Sequence, residues 1–136
     1  MITAVDSNVL LDVLGADPSF GPASSSALRA ALAGGRLVAC EAVWAEVAGW
    51  FDSADAANAA FNRLSLEYSP LQADAAFQAG RFWKAYRQRG GARTRMVADF
   101  LIGAHALRQA DRLLTRDRGF YRSYFKRLPI VDPTAI

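Results

Sequence analysis

A chain of 136 residues, 52% of them hydrophobic, is long enough to bury one core without covalent staples, and its single cysteine rules out a disulfide framework or a cysteine metal cage. No apolar run approaches the ~20 residues of a membrane span, and no basic leader precedes the first apolar stretch, so a soluble, cytoplasmic, single domain over residues 1–136 is expected. The net charge of +3 hides a split: residues 1–80 carry nine acids against three bases, and residues 81–136 carry thirteen bases against four acids.

In chain order, Ile2 to Val5 reads as a short buried strand, and Asn8 to Leu14 as a helix. Between them stand Asp6, Ser7 and Asn8. All three cap helix starts well, yet a carboxylate at the mouth of a buried strand is costly unless something binds its charge. Residues 15–25, GADPSFGPASS, form a breaker-rich loop. A helix is predicted over Ser24 to Ala33, a strand over Leu37 to Cys40, and helices over Ala42 to Phe51 and Ala54 to Leu64. A strand at Leu66 to Tyr68 follows, then a long helix from Leu71 to Arg89, closed by Gly90 and Gly91. The last helix, Arg95 to Ala110, precedes strands at Leu113 to Thr115 and Ile130 to Val131, and Gly119 is read as a breaker in the segment between these two strands. Alternating strands and helices imply an α/β fold with a parallel sheet covered on both faces.

Ligands of open α/β sheets gather outside the carboxyl ends of the strands. Asp6 and Asp117 lie just past two such ends. Glu46 sits among Val43, Trp44, Val47 and Trp50, and Asp99 among Val97, Phe100, Leu101 and Ile102. Because apolar residues cover nearly the whole circumference of the Asp99 helix, that helix reads as buried, and its carboxylate must be paired, neutral or bound to a cation. The competing assignments are an ion pair of Asp99 with Arg93 or Arg95, a solvated Glu46, and a turn or cap role for Asp117. Taken together, four acids without His or Cys suit Mg²⁺ or Mn²⁺. Paired hard cations serve in-line attack on phosphodiesters.

Asp6-Ser7-Asn8, Ala45-Glu46-Val47, Asp99 in ADFLIGAHA and Thr115-Arg116-Asp117 in LLTRDRGF resemble the motifs of the PIN-domain nucleases, most like the VapC-type toxins of bacterial toxin-antitoxin pairs. The resemblance spans nearly the whole chain. It implies a single PIN-like domain with sheet order 3-2-1-4-5 and a Mg²⁺- or Mn²⁺-dependent endoribonuclease. It also implies a homodimer, with RNA as substrate and an antitoxin protein as partner. Asp6, Glu46, Asp99 and Asp117 would be the catalytic, metal-binding carboxylates, with Asn8 and Thr115 supporting them by hydrogen bonds. Many relatives carry a further acid two residues after the last one, where this chain has Gly119, so the second metal site is expected to be weak or filled only with substrate bound. Glu41 is the alternative to Glu46, although its place at a helix start fits capping better.

Residues 81–95, RFWKAYRQRGGARTR, hold six bases, no acid and three aromatics, a combination that can stack on unpaired bases and hold phosphates. Phe82 is read instead as packing the core. RNA contacts are assigned to Arg93, Arg95, Arg116 and Arg118, the bases nearest the acids in sequence. His105 is expected to face outward beside Arg108, and Trp44, Trp50 and Phe51 to supply an apolar partner surface. A response-regulator receiver would need an acidic pair after the first strand and a Lys after the last, and this chain has neither. A housekeeping RNA-processing nuclease and a non-catalytic RNA-binding module on the same scaffold are the remaining alternatives.

Overall fold

The computed structural model describes residues 1–91 and 97–135. Among them, five strands form one parallel sheet in the order β3-β2-β1-β4-β5: β1 Ile2–Val5, β2 Arg36–Ala39, β3 Leu66–Tyr68, β4 Arg112–Leu114 and β5 Ile130–Val131. The α/β class and the strand order are those expected from the sequence. Seven helices accompany the sheet: α1 Ser7–Leu14, α2 Gly21–Gly34, α3 Glu41–Ala48, α4 Ala54–Arg63, α5 Ala73–Gln88, α6 Val97–Gln109 and α7 Arg118–Tyr124. None is long and apolar enough to cross a membrane.

The central strand β1 is short and nearly continuous in burial, with Thr3, Ala4 and Val5 all enclosed, as a parallel strand covered on both faces must be. From β1 the chain builds outward through β2 to β3, then returns by α5 and α6 to lay β4 against the other side of β1. That return makes a topological switch between β1 and β4, the place where open α/β sheets open a crevice.

The helix α7 runs through Gly119, where the sequence suggested a break. A glycine in the first turn of a helix costs at most about 1 kcal/mol, and the burial of Phe120, Tyr121 and Phe125 outweighs it. Phe100 of α6 anchors this region, with its ring 5.1 Å from Phe120, 5.5 Å from Tyr86 and 5.8 Å from Tyr124. Gly103 permits the approach of α6 to Phe125: a Cβ there would stand 2.5 Å from the phenyl ring. Cys40, the single cysteine, is buried.

His105 corrects the sequence reading. It is 1% exposed, its Nε2 stands 3.0 Å from the Ser69 hydroxyl, and burial holds its pKa below the usual value. The face of α6 that looked polar from Arg108 and Gln109 is covered by the segment after β3, where Gln109 donates to the Pro70 carbonyl and accepts from the Gln72 amide.

Candidate active site

Asp6 follows β1 directly and takes the N-cap position of α1. Its two oxygens divide the work. Oδ1 accepts from the Ser7 amide at 2.8 Å, which is the capping role; Oδ2 accepts from the Thr115 hydroxyl at 2.8 Å and the Asn8 amide at 3.4 Å. Thr115, just past β4, also accepts from the Asp117 amide at 3.0 Å, so one hydroxyl ties the Asp6 carboxylate to the backbone of Asp117. Asn8 spans the same gap: its Nδ2 lies 3.4 Å from the Thr115 hydroxyl and its Oδ1 accepts from the Arg116 amide. The Asp6 amide continues the ladder by donating to the Leu114 carbonyl. The switch between β1 and β4 is thereby stitched shut below Asp6 and Asp117.

Electrostatics place the other two acids at this cleft. Burial pushes Asp6 up to a pKa of about 6; bonds from Thr115 and Ser7 oppose the rise, and the Asp99 charge adds to it. Glu46 is likewise pushed up by burial, against a hydrogen bond with Ser7, and then by the charge of Asp99. Glu46 lies in the last turn of α3 and is exposed, whereas Asp99 is half-buried in the first turn of α6. The reading of α6 as buried along its whole length therefore needs correction. Its first turn stands at the mouth of the cleft, with Val97 43% exposed, and the helix enters the core only from Phe100 onward. Asp117 occupies the N-cap position of α7 without capping it through its side chain, so a cap role does not account for it.

Tyr121 was not singled out by the sequence, and only its position one turn into α7 could have pointed to it. The side chain is fully enclosed, and its hydroxyl is the one buried side-chain polar atom among the described residues without a hydrogen-bond partner. The phenol lies near enough to Asp6 to ease that carboxylate's charge, but not in good bonding geometry. Burial first, then the charges of Asp6, Asp99 and Asp117, push its own pKa well above the usual value. The phenol therefore keeps its proton beneath the acids.

The donors are all oxygen, which fits a hard dication, and no cation among the described residues offsets the buried charge of Asp6. Among those residues no three His, Cys, Asp or Glu side chains are gathered closely enough to enclose an ion.

The arginines assigned to RNA divide. Arg93 and Arg95 lie outside the described residues. The Arg116 guanidinium is turned away from the acids and forks onto Asp12, Nε to Oδ2 at 2.7 Å and Nη2 to Oδ1 at 3.0 Å, with the Phe20 ring 4.0 Å beneath it. It is already committed within the chain and not free to hold a phosphate. Arg118 is half-exposed and only loosely paired with Asp132, at 3.6 Å. Glu41 accepts from the Leu71 amide, tying α3 to the start of the α5 segment away from the other acids.

The PIN domain family model matches residues 3–126. Among solved structures, the chain is similar to one of VapBC2 from Rickettsia felis bound to a DNA fragment from their promoter, with a TM-score of 0.75 and 19% identity over 97% of this chain and 98% of that one. It is also similar to a chain of FitAcB from Neisseria gonorrhoeae, with a TM-score of 0.71 and 18% identity over all of both chains. A third is Mycobacterium tuberculosis VapC20, a sarcin-ricin loop cleaving toxin, at a TM-score of 0.55 and 16% identity over 82% of this chain and 86% of that one. No curated protein sequence matches. At these identities the structural likeness is one of fold, while the family model covers the strands and helices that carry all four acids: the chain belongs to the PIN domain family.

Proposed function

We propose that the chain is a Mg²⁺- or Mn²⁺-dependent endoribonuclease, acting as the toxin of a cytoplasmic toxin-antitoxin pair. Its metal-binding carboxylates are Asp6, Glu46, Asp99 and Asp117. The observation that carries the reading is Asp6, 6% exposed at the β1/β4 switch, raised to a pKa of about 6 and, among the described residues, met by neutral donors. A bound ion supplies charge stabilisation for the attacking and leaving oxygens of a phosphodiester. The chain's own residues prepare the ground. Thr115 and Asn8 fix the Asp6 carboxylate and hold the Asp117 backbone at a set distance from it. Glu46 and Asp99 bring negative charge from two further helices. Arg118 stands at the first turn of α7 beside Asp117, where it can meet the RNA backbone.

The antitoxin partner is supported by the VapBC complexes among the similar folds and by a groove of about 450 Å³ between α1 and the end of α3. Leu11, Leu14, Trp50 and Phe51 line it, together with Asp12 and Asp17. Trp50 is 74% exposed there, whereas Trp44 is packed against Phe61 at 4.3 Å and is not partner surface. A homodimer is part of the same proposal.

The test is cleavage of a structured RNA by the purified chain with Mg²⁺ or Mn²⁺, arrested by EDTA and by the product of any small reading frame adjoining the gene. Asp6→Asn and Asp99→Asn should each slow cleavage by orders of magnitude. Undiminished cleavage by either variant removes that residue from the site.

A further inference from the structure

The face of α5 that carries Phe82 and Arg89 does not lie flush on the segment following α7. A groove of about 460 Å³ remains between them, within the ~300–1,000 Å³ range of sites for small ligands. Its apolar side is built from Phe82, Leu107 and Tyr124, all half-buried, so each keeps part of its surface uncovered. Its charged side is built from Arg89, Lys126 and Arg127. All three are exposed, none makes an ion pair among the described residues, and no acid lines the groove.

Aromatic surface beside unpaired cations is the chemistry that takes an unpaired base and its flanking phosphates. A second copy of the chain is a poor occupant: a two-fold contact is self-complementary and would set the same three cations against one another. The place also fits. The seven-residue helix α7 leads from Asp117 of the acid cleft to the lip of the groove, a run of about 10 Å, which a nucleic-acid strand crosses in a few nucleotides.

We propose that this groove is a second RNA contact, remote from the acids, which holds an unpaired nucleotide of the substrate strand. The base lies against Phe82 and Tyr124, and the phosphates lie on Arg89, Lys126 and Arg127. The proposal rests on the reading of the protein as a ribonuclease, and adds that its substrate is single-stranded or looped for several nucleotides beside the cleaved bond.

The experiment measures binding in EDTA, so that it does not depend on cleavage. The full chain is titrated with fluorescent oligouridine of about a dozen nucleotides and with one of about three. The double substitution Lys126→Ala, Arg127→Ala should weaken the longer probe about tenfold near physiological salt, lower its log–log salt slope by about 1.4, and weaken the short probe no more than that. Phe82→Leu should weaken the longer probe several-fold with no change in slope. Unchanged binding of the longer probe by the charge variant overturns the proposal. So does an equal loss on duplex DNA of the same length, or a change in the oligomeric state of the charge variant. If the wild type binds the longer probe through this groove yet cuts no RNA with Mg²⁺, the nuclease reading fails and the groove stands. If it binds neither probe, both fall.

Discussion

Replacing Asp6 by Asn should stabilise the metal-free protein while abolishing its activity. Burial raises Asp6 from an ordinary 3.8 to about 6, and a difference of about two pH units corresponds to ~3 kcal/mol of destabilisation once the group is ionised in both folded and unfolded chains. The amide removes the charge and keeps the shape. The Ser7 amide retains its acceptor, and the Thr115 hydroxyl can turn to accept from the new NH₂, but the 3.4 Å contact from Asn8 is lost, at about 1 kcal/mol. The net gain is about 1–2 kcal/mol, or a rise of roughly 4–8 °C in Tm for a domain of this size.

The sign with pH is fixed. A carboxyl raised in the folded state costs nothing below 3.8, where it is protonated in both states, and its full cost is felt above about 6. The variant's advantage should therefore be largest at about pH 7–8 and vanish towards about pH 4. His105 acts in the opposite direction: its lowered pKa contributes stability above the usual histidine value of 6.5 that is lost as pH falls. It is common to both proteins and cancels in their difference. Thermal melts in EDTA across this range read the effect directly, and added Mg²⁺ should close the gap by binding the wild type alone. A difference that does not change with pH, or a variant that melts lower than the wild type under mildly alkaline conditions, would show that Asp6 is neutralised within the chain and refute the reasoning.

Contacts around the cleft set further outcomes. Arg116→Ala leaves Asp12 buried with only Ser24 for company and should cost about 3 kcal/mol; adding Asp12→Ala should recover most of it, and chemical denaturation of the three proteins measures the coupling. Tyr121→Phe deletes a hydroxyl that has no hydrogen-bond partner among the described residues and only eases the Asp6 charge from nearby, so stability should change by no more than ~1 kcal/mol; a larger fall in Tm would mean that the hydroxyl is bonded to Asp6. Gly103→Ala drives a methyl to within 2.5 Å of the Phe125 ring and should destabilise by about 1–3 kcal/mol, read as a fall in denaturation midpoint.

The order of the strands came only with the resemblance to the PIN-domain nucleases; the strands and the parallel sheet were readable because a short apolar run between breakers has few other fates and strand-helix alternation implies parallel pairing. The acids at strand ends were readable for the same reason. What sequence missed depended on tertiary packing. The helix α7 forms across Gly119 because Phe120 and Tyr121 have a core to enter, and nothing local signals that core. His105 looks outward on a helical wheel but is roofed by a segment more than thirty residues away. The apolar surround of Asp99 was real, yet a wheel does not tell which end of a helix reaches the surface. The arginines show the limit most plainly. Arg116 and Arg118 are two residues apart in one motif, but one is bound to Asp12 and the other stands half-exposed.

Arg116 also explains why the two buried carboxylates differ. Among the described residues only Asp6 and Asp12 are buried acids, and they lie six positions apart along one helix and its cap. Burying a carboxylate is expensive in either place. At Asp12 the fold meets the expense in full, with a two-pronged guanidinium and the Ser24 hydroxyl at 2.8 Å. At Asp6 the described residues supply neutral donors and set a second acid, Asp99, near enough to raise the carboxylate further. Arg116 could not do both, because its own backbone amide is held by Asn8 while its side chain reaches back to α1. On the proposed reading, the contrast between a fully neutralised Asp12 and an Asp6 met by no cation among the described residues leaves room at the crevice for a counter-charge that arrives with the ligand.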